Sequence, residues 1–342
     1  MTRQKIAAYA LPLIAIAALA ALLAYNRHSD KGTTYHKDSD FIFGTAYNVT
    51  YESDEDLKQD INTTLLAVDS ALSPFNKQSI ITAVNQNKDT ELNSLFIDVF
   101  NKAAEVYADT EGAFDITVAP LVNAWGFGFK NGQMPTQAQV DSIRQFIGFS
   151  KVSLKGSRIT KQDPRIMLDC GAIAKGYAVD QVARMLDSKG VKNYMVEIGG
   201  EIVTKGVNPN KEPWHIGVVK PVDDSLYVNN ELQTRLALKD VAMATSGNYR
   251  NYYYKDGKKY AHTIDPKTGY PIQHNILSAT VLAPTCAQAD AYATAFMVLG
   301  IEKAKQILSR HKEMKAYLIY NDDKGDYSVW FSPELEKNII KE

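Results

Sequence analysis

An α+β fold, with mixed and antiparallel β-sheets flanked by helices, is what this 342-residue sequence predicts, and three observations carry that expectation. Strand-like and helix-like segments interleave without the regular strand–helix–strand alternation of a doubly wound fold. Alternating, β-branched and aromatic segments separated by Gly and Asp-Gly turns fill residues 194–284. Residues 173–189, 287–299 and 301–311 instead space their apolar side chains for helices. A hydrophobic fraction of 45% and a length sufficient for one large or two modest domains make the chain globular.

The chain opens on "MTRQK", and residues 6–25 follow without a charged side chain. Twenty helical residues rise ~30 Å, enough to cross a bilayer, while the small-residue pattern Ala18-Leu19-Ala20 equally fits a cleavable signal peptide. The cations ahead of the run keep the N-terminus inside and send the globular part out. No cysteine follows the run closely, which excludes the lipid attachment of a bacterial lipoprotein. The expected organisation is a signal peptide or membrane anchor over residues 1–25, a polar linker over 26–40 and a folded domain over 41–342.

Within that domain "FIFGTAYNVTY" alternates as a strand, and residues 54–72 and 92–108 show helical spacing. "SPFNKQSIITAVN" and the stretch around Trp125 and "GFGFKNG" read as loops. A short helix over 137–145 then leads to strand-like pieces at 152–154, 158–160 and 166–168. In the helix at 173–189 the apolar positions are Ile173, Tyr177, Val179, Val182, Ala183 and Leu186. After the β-rich middle and two further helices, the strands "KAYLIY" and "YSVWF" end the pattern.

Charge and cysteine usage narrow the function. Lys plus Arg total 38 against 39 acids, a net charge of -1, so no basic face is offered to nucleic acid and an anionic small molecule must be held by local groups. Cys170 and Cys286 lack the paired spacing of zinc or thioredoxin-type motifs and read as small buried residues.

Three segments carry chemistry. In "DCGAIAKGYAVDQ", glycines, unsatisfied helix N-terminal amides and Lys175 together suit a phosphate, and a bend carbonyl such as that of Ala172 suits a hard cation. The plainer reading is a helix capped by Asp169, with Gly171 easing the turn. "CAQADAYATAF" puts Asp290 and Thr294 four residues apart on one helix face, where a carboxylate and a hydroxyl can share one metal ion. With only oxygen donors and no His/Cys cluster, that ion is magnesium rather than zinc; the alternative is a buried Asp bonding a neighbouring loop. "YAHTIDPKTGYPI" forms a turn at Asp-Pro and Thr-Gly, with His262 placed to act as a base. The Gly-Gly of "EIGGEI" and the polar bend of "ATSGNYRNYY" mark close approaches or hairpins.

In order along the chain, "FGTAY", "SPFNKQSIITAVN", "GAFDITVAPLVNAWGFG", "DCGAIAKGYAVDQ", "EIGGEI", "ATSGNYRNYY", "HTIDPKTGYP" and "ADAYATAFMVLG" resemble the FAD:protein FMN transferase, or ApbE-like, family. The resemblance implies an exported, Mg2+-dependent enzyme that splits the FAD pyrophosphate and joins FMN through a phosphoester to a Thr or Ser of a target flavoprotein, releasing AMP. By position it assigns the metal to the Ala172 carbonyl, Asp290 and Thr294. It assigns FAD contacts to Phe43, Ile80, Ile81, Thr82, Asp115, Lys175 and Ile264; Phe43 stands where the family commonly has methionine. Catalysis would fall to His262, Asp290 and Lys175. His262 is preferred over Asp290 as the base, because a bound metal lowers carboxylate basicity. The implied targets are subunits of membrane redox complexes and other exported flavoproteins, on the periplasmic side of the bacterial inner membrane. Two rivals stand beside it: an FAD pyrophosphatase that uses the same site with water as acceptor, and a non-catalytic exported flavin-binding protein that needs the FAD pocket but not a complete metal set.

Overall fold

A computed structural model of the chain describes residues 34–128, 134–222, 231–249 and 251–341. With strands numbered in chain order, its centre is an eight-stranded sheet. From edge to edge it runs β1 (Thr34–Ile42), β2 (Thr45–Ser53), β5 (Tyr194–Ile198), β6 (Glu201–Lys205), β9 (Val241–Gly247), β12 (Ile276–Ala283), β13 (Lys315–Asn321) and β14 (Tyr327–Phe331). Every neighbouring pair in it is antiparallel. Three two-stranded ribbons complete the strands: β3 (Val152–Lys155) with β4 (Arg158–Lys161), β7 (Trp214–Val219) with β8 (Leu232–Leu238), and β10 (Tyr252–Lys255) with β11 (Lys258–Ala261).

Strand alternation divides the apolar residues between two cores. On β9, β12 and β13, Ala242, Ala244, Val281, Ala283, Ala316 and Leu318 join the larger core under the helices. Their neighbours Met243, Leu282, Tyr317 and Ile319 face the other way and pack with Trp214, Ile216 and Leu236 of the β7–β8 ribbon. Because the central strands are buried on both faces, they read as nearly continuous apolar runs.

The helices are α1 (Lys58–Leu72), α2 (Ile80–Asn85), α3 (Ser94–Asp109), α4 (Ala119–Ala124), α5 (Gln137–Arg144), α6 (Ala174–Ser188), α7 (Cys286–Leu299) and α8 (Ile301–Arg310). α7 lies on β9 and β12 and is flanked by α6, which lies over β5 and β6. Its alanines at 287, 289, 291, 293 and 295 are all buried, and so small a surface lets the backbones on every side come close. Two side chains hold its N-terminus: Thr285 Oγ accepts the Gln288 N–H at 3.3 Å, and the two carboxylate oxygens of Asp180 accept the Cys286 and Ala287 N–H groups at 2.7 and 3.0 Å. Burial pushes the Asp180 carboxyl up to about 6, although both amides favour its charge.

Three expectations are corrected. β1 begins at Thr34, inside the stretch read as a linker over 26–40. As an edge strand paired residue for residue with β2 it needs no apolar face, so its "TYHKDSD" carries no hydrophobic alternation. Residues 166–168 do not form a strand. Their backbone is instead bonded mainly by side chains: Leu168 N–H donates to Asn85 Oδ1 at 2.7 Å, Asn85 Nδ2 donates to Leu168 O at 2.9 Å, and Lys161 Nζ donates to Ile166 O at 2.9 Å. The supposed loop "SPFNKQSIITAVN" contains α2, whose N-cap Ser79 accepts the Thr82 N–H at 3.2 Å. The apolar run 6–25 lies outside the described residues, and among those no helix is long and apolar enough to cross a membrane.

Candidate active site

The start of α6 and the start of α7 meet at Gly176. A Cβ there would lie 2.3 Å from the Cys286 carbonyl oxygen, so only glycine allows this crossing. The close approach brings Asp290 of α7 to the first turn of α6, where its Oδ2 accepts the Gly176 N–H at 3.0 Å. Helical first-turn amides lack intrahelical partners, and this one is satisfied by a carboxylate from another helix. The proposed cap Asp169 does not serve α6: its carboxylate accepts the Gly171 N–H at 2.8 Å, and the N-cap position, Ile173, makes no side-chain bond.

Lys175, one residue earlier, places its Nζ 2.5 Å from Glu201 Oε1. Glu201 opens β6 directly after Gly199 and Gly200, both at positive φ (62° and 100°), and that turn drives its side chain under the helices. Glu201 is 3% exposed and Asp290 4%. Burial raises the Glu201 carboxyl well above the ordinary carboxylate range against the charge of Lys175, and Asp290 adds to the push. Burial raises Asp290 as well, opposed by the Lys175 charge and the Gly176 amide. Burial works against the Lys175 ammonium too, but the charges of Glu201 and Asp290 outweigh it and hold the proton above the usual lysine range. Sequence reasoning passed over Glu201, seeing in "EIGGEI" only a glycine approach.

Thr294, one turn beyond Asp290, shares a hydrogen bond with Ser246 Oγ of β9 at 3.0 Å. His262 follows β11, and its Nδ1 lies 3.2 Å from the Asn251 carbonyl oxygen. A carbonyl can only accept, so Nδ1 carries the proton and Nε2 is left as the basic nitrogen. Burial lowers the His262 pKa, as does the nearby positive charge of Lys175, against the favourable bond to Asn251. The turn that follows is firmly built: Gly269 N–H donates to Asp265 O at 2.8 Å, Trp125 Nε1 donates to Gly269 O at 2.8 Å, and Ile264 bridges to Pro271.

The other sequence-assigned residues are held by contacts of their own. Phe43 occupies the tip of the β1–β2 hairpin with φ 53°, followed by Gly44 at 74°, the paired positive φ of a two-residue turn. Ile80, Ile81 and Thr82 open α2; Ile81 is buried in the core, and Thr82 Oγ1 donates to Asn76 O at 2.9 Å. Asp115 is tied into its own loop, accepting from Thr117 N and Oγ1 at 2.8 and 2.7 Å and from Phe149 N at 3.1 Å. Among the described residues no hydrogen bond or ion pair joins Asp115 or Thr82 to Lys175, Glu201 or Asp290. A surface cleft lined by Tyr107, Gly112, Asp115, Gly148, Pro266 and Lys267 does connect the Asp115 loop with the turn after Ile264. Cys170 and Cys286 are both free and buried.

The donors near Asp290 fit a hard divalent cation. Two buried carboxyl groups lie near one ammonium, and Glu201 Oε2 is buried without a hydrogen-bond partner. Because the Gly176 N–H goes to Asp290, no backbone hydrogen bond among the described residues ends on the Ala172 carbonyl. The available ligands are therefore carboxylate, hydroxyl and main-chain oxygens, the set magnesium takes. Among the described residues no group of three or more His, Cys, Asp or Glu comes together for a metal.

Comparison with known proteins finds relatives over most of the chain. The ApbE family profile matches residues 43–318. The FAD:protein FMN transferase of Escherichia coli K12 is 36% identical over 297 residues, 84% of this chain and 83% of that protein. That of Haemophilus influenzae is 38% identical over 299 residues, covering 82% and 85% of the two chains. Among solved structures, flavin transferase ApbE from Vibrio cholerae superposes with a TM-score of 0.81 at 34% identity, over 90% of this chain and 99% of that one. The apo flavinyl transferase ApbE of Pseudomonas stutzeri gives 0.78 at 29% identity, over 90% and 97%. A match of this extent, in sequence and in fold, means that the chain belongs to the ApbE family.

Proposed function

We propose that the chain is a magnesium-dependent FAD:protein FMN transferase, cleaving FAD and attaching FMN through a phosphoester to a Thr or Ser of a target flavoprotein, with AMP released. The observation that carries this reading is the buried Lys175–Glu201–Asp290 arrangement where α6 meets α7, with Thr294 one turn away and the basic Nε2 of His262 within the field of Lys175. The fold and names of its relatives support it.

Asp290, Thr294 and the Ala172 carbonyl would hold the cation, which when bound neutralises charge gathering on the pyrophosphate oxygens. Lys175 adds a fixed positive charge on the same oxygens and orients the FAD diphosphate. His262 Nε2 takes the proton from the acceptor hydroxyl. The hydroxyl oxygen forms a bond to the FMN-side phosphorus as the bond from that phosphorus to the bridging oxygen breaks, and the bridging oxygen leaves with AMP. Asp115, Ile264, Phe43 and the residues 80–82 would contact FAD at the edges of this centre. Asp115 would then act mainly by shaping its loop, since its carboxylate oxygens already accept three bonds. The charge pattern of residues 1–25 supports placing the enzyme on the periplasmic side of a bacterial inner membrane, anchored or released, near membrane redox complexes.

The test is to incubate the protein with FAD and Mg2+, with and without an acceptor flavoprotein, and to read AMP, free FMN and protein-bound flavin. Bound flavin and AMP in equal amounts, only with the acceptor, is the expected result. AMP with free FMN in both reactions means a pyrophosphatase, and unchanged FAD in both means a flavin carrier.

A further inference from the structure

Two carboxylates near one ammonium raise a competition that this site settles in an unexpected direction. Lys175 follows the α6 N-cap and is charged, and both Glu201 and Asp290 lie within its field. Yet its Nζ bonds Glu201 Oε1 at 2.5 Å, and among the described residues no ion pair joins it to Asp290, whose carboxylate accepts the Gly176 N–H at 3.0 Å. The Lys175 side chain is 31% exposed, so it has room to move. Besides Lys175 the Glu201 carboxylate is favoured only weakly, by its own backbone amide, and its Oε2 is buried and unpartnered. A carboxylate kept in a buried site at such desolvation cost, with Lys175 as its ion-pair partner, is explained by what it does to that partner.

Resting on the reading of Asp290 as the cation's carboxylate, we infer that Glu201 is a positioning residue that parks the Lys175 ammonium away from Asp290. Without Glu201 the ammonium collapses onto Asp290, the remaining buried anion, and occupies the oxygen a divalent cation needs. Lys175 would then compete with the metal instead of acting beside it. Glu201 thus separates the site's two positive charges, the fixed one on FAD and the exchangeable one on Asp290.

The experiment is a double-mutant cycle read by Mn2+ affinity, measured by electron paramagnetic resonance on the full protein without FAD. Glu201→Gln is nearly isosteric, and its fold is checked by a thermal melt; Glu201→Asp, which restores the charge, serves as the conservative rescue. Parking by Glu201 makes the cycle non-additive. Lys175→Met alone is expected to change Mn2+ affinity by less than about threefold, since the ammonium is already held off. Glu201→Gln is expected to weaken it by about tenfold or more, the scale of a lost buried charge contact. Lys175→Met with Glu201→Gln should return to within about threefold of wild type, and Glu201→Asp should recover at least part of the loss. Additive effects, in which Lys175→Met tightens binding as much in the wild type as beside Glu201→Gln, would overturn the inference and leave Glu201 as a through-space charge. A double variant as weak as Glu201→Gln alone would overturn it and make Glu201 a metal ligand. Asp290→Asn is the separate control: Mn2+ affinity equal to wild type in that variant refutes the metal assignment itself, and the inference with it.

Discussion

The carboxylate of Asp290 accepts the backbone N–H of Gly176 at 3.0 Å, across the contact between α6 and α7. One bond thereby caps a helix and aims an acid. The same crossing puts a hypothetical Gly176 Cβ 2.3 Å from the Cys286 carbonyl oxygen, with main chain on both sides of the contact. Gly176→Ala is therefore expected to lose about 1–3 kcal/mol in denaturant unfolding and to weaken Mn2+ binding in parallel, because the helices must separate. A variant as stable as wild type would show that this contact is looser than the structure places it.

His262 carries a prediction about pH. Its folded pKa lies below the ordinary 6.5, because burial and then the Lys175 charge disfavour the imidazolium. A base must be neutral to act, so the rate should hold as pH falls through 6.5 and decline only at lower pH. His262→Asn is expected to lower the transfer rate by about 100-fold or more and to remove that acidic limb, leaving FAD affinity near wild type. An acidic limb that persists unchanged in the variant assigns it to another group.

His311 supplies a stability test away from the chemistry. Its Nε2 lies 3.1 Å from Asp109 Oδ2 and its Nδ1 2.9 Å from Glu313 Oε1, so only the imidazolium satisfies both carboxylates. Partial burial opposes that charge, but the bonds to Glu313 and Asp109 prevail and raise the pKa. Asp109 also accepts from Tyr292 of α7 at 2.8 Å, tying the helix of Asp290 and Thr294 to the end of α3. A raised histidine pKa contributes stability that is complete below 6.5 and lost as pH rises through the folded value. The melting temperature of wild type should fall across that window, and His311→Gln should flatten the fall. Parallel curves for the two proteins would contradict the pairing.

What was legible in the sequence is whatever local spacing encodes. Asp290 and Thr294 stand on one face of α7 because four residues make about one turn, and His262 stands before a turn that Asp-Pro and Thr-Gly dictate. Lys175 was legible beside glycines at a helix start. Glu201 was not, because its role comes from strand β6 lying beneath α6, a relationship only the folded chain makes. β1 escaped notice because an edge strand can be polar throughout, and residues 166–168 misled because an apolar segment can be bonded by side chains, here Asn85 and Lys161, instead of a neighbouring strand. One partner of Asp115, the Phe149 amide, likewise comes from well along the chain.

The central claim, a cation-assisted transfer centred on Asp290, is tested most directly by Asp290→Asn, whose amide oxygen can still accept the Gly176 N–H. AMP release from FAD and Mg2+ in the presence of an acceptor flavoprotein should fall by at least about 100-fold relative to wild type, with the thermal melt retained. A folded Asp290→Asn protein that releases AMP at the wild-type rate would contradict the account.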